Sequence, residues 1–414
     1  MRRSLGTLAL VLLSCAAACQ LIIGIDKDNI NVNVAPPDAE ECDIATNPCC
    51  RTPNDICCTM PDAPCCAPKR TAPGLAGRPD ANTNESDAGG APIYLFAFKE
   101  LRLRPKGEPA QGLDLDGVET RRVGDKLVWK LCEPPPGTEQ NALEDQPGGG
   151  DNAFGNALAT LGVGPEDDLA ADIANARIWE GDYTVLIEIY KYNGKAEDSS
   201  VQIGLIRSKG LQGRPNKPLW NGEDRWDLGE ELDDISEGAF PARFAGHVVD
   251  YKLIIPVDIG RLFAFPFLGS SVNFRGGGAV LDLRPAFESD TPQPKTINGI
   301  VSGIVNPFEL FSSFYRSRVG ESGSTKPLCD PSFNSVATRA CGAMTKIFDM
   351  PENFSTESEA CPKPLSLPAC TRTSLSVEFT AVEAIRGSEY TPDAGVEDDP
   401  CKDAGWDVNS RQCP

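Results

Sequence analysis

The stretch Ser374-Leu375-Ser376-Val377-Glu378-Phe379-Thr380-Ala381-Val382 alternates without a break. Leu375, Val377, Phe379 and Ala381 fall on one face, and Ser374, Ser376, Glu378 and Thr380 on the other. A period of two is the mark of a strand with one face in a core and the other turned away from it. The same period, or a short apolar run, recurs at Ile93–Arg104 (IYLFAFKELRLR), Tyr183–Lys191 (YTVLIEIYK), Val201–Arg207, Val248–Val257 and Ala279–Leu283. Helical spacing is rarer. It appears at Asn152–Leu161, at Pro165–Ala176 with acids in its first turn, and at Pro307–Arg318 with a Phe308, Leu310, Phe311, Phe314 stripe. Many strands between Gly and Pro turns, with few helices, predict a mainly β body over 92–387, here expected to be a β-sandwich with inserted helices.

Outward from that body the composition changes. Residues 388–414 are acidic and loop-like, and Cys401 and Cys413 are expected to close a small loop there. Residues 67–91 are Pro, Gly, Ala and polar, which predicts a flexible linker. Before it, 42–66 holds Cys42, Cys49, Cys50, Cys57, Cys58, Cys65 and Cys66 in a repeat of about eight residues. Pro with Asn or Asp fills the gaps, as turns require. A segment this poor in apolar surface needs cross-links in place of a core, so it reads as a disulfide knob rather than a thiolate metal cluster. Residues 19–41 read as a tether. Residues 1–18 read as an export signal: Arg2-Arg3, then an apolar run from Leu5 to Leu13 that is too short to span a bilayer.

Composition narrows the function. The 414 residues carry a formal charge of −21, with one His and 16 Cys. Such an acidic chain is a poor partner for nucleic acid or an anionic surface. So many cysteines favour an oxidising compartment. The body holds Cys132, Cys329, Cys341, Cys361, Cys370, Cys401 and Cys413. Knob and body each contain an odd seven, so complete pairing within one chain requires a bridge between them. No P-loop, Gly-x-Ser-x-Gly elbow, Cys-x-x-Cys or His-Glu-x-x-His is present. His247 sits beside a predicted strand, where a lone His is an ordinary structural residue.

Two segments are rich in oxygen ligands. Gly112-Leu113-Asp114-Leu115-Asp116-Gly117 sets carboxylates at alternate positions before a Gly turn, and Gly148-Gly149-Gly150-Asp151-Asn152 leads into a helix. Each alone is an Asx turn or an N-cap. Together Asp114, Asp116, Asp151 and Asn152 offer a hard cation such as calcium a set of oxygens, with Cys132 between them to pin the intervening loop. Trp220 and Trp226, in PLWNGEDRW, are candidate sugar-stacking residues set against the commoner fate of Trp, which is core packing.

Ala16-Ala17-Ala18-Cys19 resembles a bacterial lipobox, in which the Cys is lipidated and becomes the mature N-terminus, and Cys19 is followed by Gln20 and by Gly24-Ile25-Asp26. The order GLDLDG, Cys132, GGGDNAFGN, Ile347-Phe348-Asp349, Cys361, Cys370 and SLSVEFTAVEAIRG resembles a group of uncharacterised myxobacterial cell-envelope lipoproteins. The likeness covers the N-terminus and most of 92–387; the cysteine knob departs from it. It implies a lipid-anchored extracytoplasmic body, with the outer membrane favoured because Gln rather than Asp follows Cys19. It implies no catalytic residue. Three functions remain: a non-enzymatic surface module binding glycan or protein, a purely structural envelope protein, and a carboxylate-dependent envelope hydrolase.

Overall fold

A computed structural model describes residues 93–103, 110–123, 126–138, 143–146, 149–158, 169–213, 216–231, 243–267, 270–287, 295–316, 318–319, 326–333, 337–338, 341–342, 344, 346–352, 367–388 and 401. The signal peptide, tether, knob and linker expected from the sequence lie outside them. The strands in chain order are β1 (Tyr94–Arg102), β2 (Arg121–Val123), β3 (Lys126–Val128), β4 (Val185–Tyr190), β5 (Asp198–Leu211), β6 (Arg225–Glu231), β7 (Phe244–Val249) and β8 (Lys252–Phe267). They continue as β9 (Ser270–Asp282), β10 (Thr296–Val305), β11 (Arg318–Val319), β12 (Lys326–Pro327), β13 (Met350–Pro351), β14 (Cys370–Glu383) and β15 (Ile385–Arg386). Among the described residues the α-helices with defined bounds are α1 (Ala153–Leu158), α2 (Leu169–Trp179), α3 (Arg284–Phe287) and α4 (Pro307–Arg316).

The body is mainly β, as its alternation predicts, but it is a barrel and not a sandwich. The strands run β5-β4-β1-β14-β10-β9-β8-β7, and β7 returns to β5 to close an eight-stranded ring. β5 pairs with β4 along one edge and closes the ring with β7 on the other, an edge that it divides between two partners. Its first half pairs with β7 (Asp198↔Val248 to Ile203↔Phe244), and its second half pairs with β6 (Ile206↔Glu231 to Leu211↔Trp226). Alternation reports only that each strand has a buried face. Two facing sheets and one closed sheet satisfy it equally, so the pattern could not choose between them.

Inside the barrel, Phe98 stacks on Phe379 with ring centroids 4.1 Å apart, and Phe265 packs between Phe98 and Phe274. Gly299 makes this possible: a Cβ there would lie 2.4 Å from Cζ of Phe379. Outside the wall, β6 and β15 pair in parallel and bring Trp226 over Leu95, Ala97 and Leu186 as a second, smaller core.

Three local expectations change. Val248–Val257 is not one strand but the β7–β8 hairpin, turned at Asp250 and Tyr251 with φ of 50° and 61°. That is the left-handed pair of a tight hairpin, made without the Asn-Gly or Asp-Gly that would have marked it. The described part of each predicted helix is α1, α2 and α4; α2 runs on to Trp179, past the expected Ala176, and α4 ends at Arg316, with β11 from Arg318. Cys401 pairs with Cys329, a sequence separation of 72, and so does not close a loop with Cys413. The reason is tertiary: Cys329 N donates to Tyr315 O at 3.0 Å, and Cys401 Sγ lies 3.6 Å from that same oxygen, so both cysteines meet at α4. Cys341 is also disulfide-bonded. Among the described residues, no helix is long and apolar enough to cross a membrane.

Candidate metal centre

The outward face of β14 and its neighbour β10 carries serines where the inward face carries aliphatic and aromatic side chains. Ser302 on β10 and Ser376 on β14 share a 2.6 Å hydroxyl contact. From this pair the two oxygen-rich segments are hung. Leu113 N donates to Ser302 Oγ at 3.2 Å, and Ser376 Oγ donates to the Asp151 carbonyl at 3.0 Å. The segments also hold each other, through Asp151 N to Leu113 O at 3.0 Å. Gly112 is needed for that approach, since a Cβ there would fall 2.2 Å from Asp151 O.

The geometry sets three carboxylates together. Oxygens of Asp114, Asp116 and Asp151 lie within 4.8 Å of one another, and the three could hold a metal ion. Each is aimed by backbone amides: Gly117 N donates to Asp114 Oδ1 (2.6 Å), Val118 N to Asp116 Oδ1 (2.8 Å) and Leu115 N to Asp151 Oδ2 (2.5 Å). Asp116 and Asp151 are 8% and 2% exposed. Burial, then the charge of Asp114, pushes Asp116 well above the usual carboxylate range; burial, then the charge of Asp116, does the same to Asp151. The strongest charge effects on both come from other carboxylates. Such a group of acids is costly to keep ionised without a cation.

Two further acids, which the sequence did not single out, belong to the same neighbourhood. Asp145 accepts from Thr120 N at 2.5 Å, and burial followed by the Asp116 charge raises it strongly. Asp349 accepts from Ser374 N at 2.8 Å and Ser374 Oγ at 2.5 Å; burial raises it to about 6 against those hydrogen bonds. Asp349 stands 198 positions from Asp151 in sequence, so spacing could not join them. Its one signal was its place in the Ile347-Phe348-Asp349 triplet.

Of the two roles the sequence offered it, helix cap or cation ligand, Asn152 takes the cap. Its Oδ1 accepts from Gly155 N (3.0 Å), capping α1, and from Ser376 N (3.2 Å), while its Nδ2 donates to Gln111 O (2.7 Å). Both ends of the amide are thus occupied, and Asn152 is an anchor rather than a ligand. Cys132 does pin the region, by its disulfide to Cys370 at the start of β14. Around that bridge Glu133 N donates to Pro368 O, Cys370 N to Glu133 O and Asp349 N to Arg372 O, fixing Asp349 beside the other acids.

The remaining candidates lie elsewhere. Trp226 is fully buried, and Trp220, half-buried, tilts against it with centroids 5.7 Å apart. Trp226 is therefore a core residue with no face to offer a sugar. His247 is buried on β7. Compared with known protein families, curated proteins and solved structures, the chain matches none.

Proposed function

We propose that this chain is a lipid-anchored protein of the cell envelope, acylated at Cys19 and held at the outer membrane, whose barrel is a non-enzymatic binding or surface module locked by calcium. The observation that carries the calcium reading is the buried Asp114, Asp116 and Asp151 triad, three carboxylates on one 4.8 Å span. Calcium takes six to eight oxygens at flexible geometry, and carboxylates, backbone carbonyls and water supply that kind of set. Disulfides in the body support export to an oxidising space. The acids support a structural role because each accepts a backbone amide, which fixes it in place.

Two measurements test this reading. Mass spectrometry of the native N-terminus should find an acylated Cys19, and a free amine at a later residue rejects the anchor. Calcium should raise the melting temperature of the chain, an increase that Asp114→Ala or Asp151→Ala removes; a flat titration rejects the cation. Non-reducing peptide mapping adds a third check, since the odd count in each half calls for a bridge from 42–66 to the body.

A further inference from the structure

The chain between Thr120 and Asp145 leaves the carboxylate site and returns to it. Departure and return meet, with Thr120 N donating to Asp145 Oδ2 (2.5 Å) and Asp145 N to Thr120 O (2.9 Å). Midway, the segment is fastened to the start of β14 by the Cys132–Cys370 disulfide, across a sequence separation of 238. Beside the bridge, Glu133 N donates to Pro368 O (2.7 Å) and Cys370 N to Glu133 O (2.9 Å). Cys132 Sγ lies 3.1 Å from the Asp349 carbonyl, and the Asp349 carboxylate is held by Ser374 two turns of the pleat further along β14. One bridge therefore fastens both the segment that Asp145 closes and the neighbour of Asp349. Both of its cysteines are buried.

We propose that the Cys132–Cys370 bridge and the cation hold the same closed arrangement, so that calcium binds tightly only to the oxidised protein and in turn protects this bridge from dithiols. Burial decides the mechanism. A thiolate must reach a sulfur to displace it, and here it can do so only when the segment lifts from β14. Lifting also releases the Asp349 carbonyl from beside Cys132 and loosens the ends that Thr120 and Asp145 hold together. The acids then spread, and a cation that binds the closed form opposes the movement. The exchange balances with a dithiol as reductant. One of its thiolates displaces a sulfur of the bridge, its second resolves the mixed disulfide, and two cysteine thiols and a cyclic disulfide result. Because linkage between two equilibria is reciprocal, whatever the bridge adds to calcium affinity, calcium adds to the bridge. The Cys329–Cys401 disulfide supplies the contrast, since it meets α4 at Tyr315 and not the acids.

This deepens the calcium reading by naming what regulates the site, and it rests on that reading but not on the anchor. The test equilibrates the full chain in buffers of reduced and oxidised dithiothreitol, with calcium or with chelator, then alkylates the thiols and maps them. In calcium, the ratio of reduced to oxidised dithiothreitol that opens half of Cys132–Cys370 should rise about tenfold, while that for Cys329–Cys401 stays where it was. Calorimetric titration supplies the converse. Cys132→Ala with Cys370→Ala should bind calcium about tenfold more weakly, and Cys329→Ala with Cys401→Ala as tightly as the wild type. If the first double variant does not fold, the shift measured in the wild type decides alone. Equal shifts at the two bridges overturn the proposal, because calcium would then stabilise the whole fold. No shift at Cys132–Cys370 in a chain that binds calcium overturns the linkage and leaves the cation in place. An oxidised wild type that binds no calcium overturns the cation reading itself, and the linkage with it.

Discussion

The two faces of β14 build opposite kinds of structure from one strand. Inward, Leu375, Val377, Phe379 and Ala381 join the barrel core; outward, Ser374 and Ser376 carry Asp349 and the Asp151 backbone. The inner face is held by removal of apolar area from water, which depends little on pH or ions. The outer face is held by hydrogen bonds around carboxylates whose charge is costly to bury. The lesson is that half of the structure is unconditional and half depends on the solution.

That contrast can be broken most sharply from the inside. Phe379→Ala removes the ring stacked on Phe98 and should cost about 3–5 kcal/mol in denaturant unfolding, equally with calcium and with chelator. Dependence of that loss on calcium would mean that the two faces are coupled. Gly299→Ala attacks the same ring by crowding, and shortening the neighbour with Phe379→Leu should recover part of its loss.

The outer face should respond to pH. Burial lifts Asp349 from 3.8 to about 6 in the folded state, so between those values the folded protein keeps a proton that the unfolded chain has released. Its contribution is therefore greatest below pH 3.8 and declines as pH rises through 6, by about 3 kcal/mol. Asp116, Asp145 and Asp151 are raised too and add to the decline in the same direction. In chelator, unfolding midpoints should fall across this window, and Asp349→Asn should flatten the slope; a wild type with no slope contradicts the burial of these charges.

Calcium should then reverse the cost at neutral pH. A hundredfold excess over the dissociation constant contributes about 2.7 kcal/mol to a protein that binds only when folded. The gain should vanish in Asp114→Ala and survive in Phe379→Ala, which separates the two faces directly. The smallest effect concerns the anchor between them. Ser376→Ala loses the hydroxyl that meets Ser302 and the Asp151 carbonyl, at about 1 kcal/mol, and should weaken calcium binding without abolishing it. Calorimetric titration of that variant measures both.

Much of the strand content, though not its closure into a barrel, was legible because strands announce themselves locally. The alternation over Ser374–Val382 placed both faces of β14 correctly, and Asp114, Asp116 and Asp151 stood out because turn chemistry set acids beside glycines. The β7–β8 turn was not legible, because Asp250-Tyr251 carries no glycine to mark its left-handed backbone. Asp145 and Asp349 were missed because their places beside the triad exist only in three dimensions, Asp145 through its hydrogen bonds with Thr120 and Asp349 through the disulfide from Cys132 to Cys370 and the hydrogen bonds around it.

The sequence by itself determined a mainly β body, which side-chain alternation dictates at each strand, and it grouped the acids that nearest-neighbour turns present. Only the tertiary structure decided that the sheet closes into a barrel, because closure requires β7 to pair with the edge of β5 opposite β4, a choice made by long-range pairing. It chose capping over metal ligation for Asn152 and the core over a sugar face for Trp226, and it alone paired Cys401 with Cys329. Those roles follow from which groups meet after the chain has closed, and local pattern carries no record of such distances.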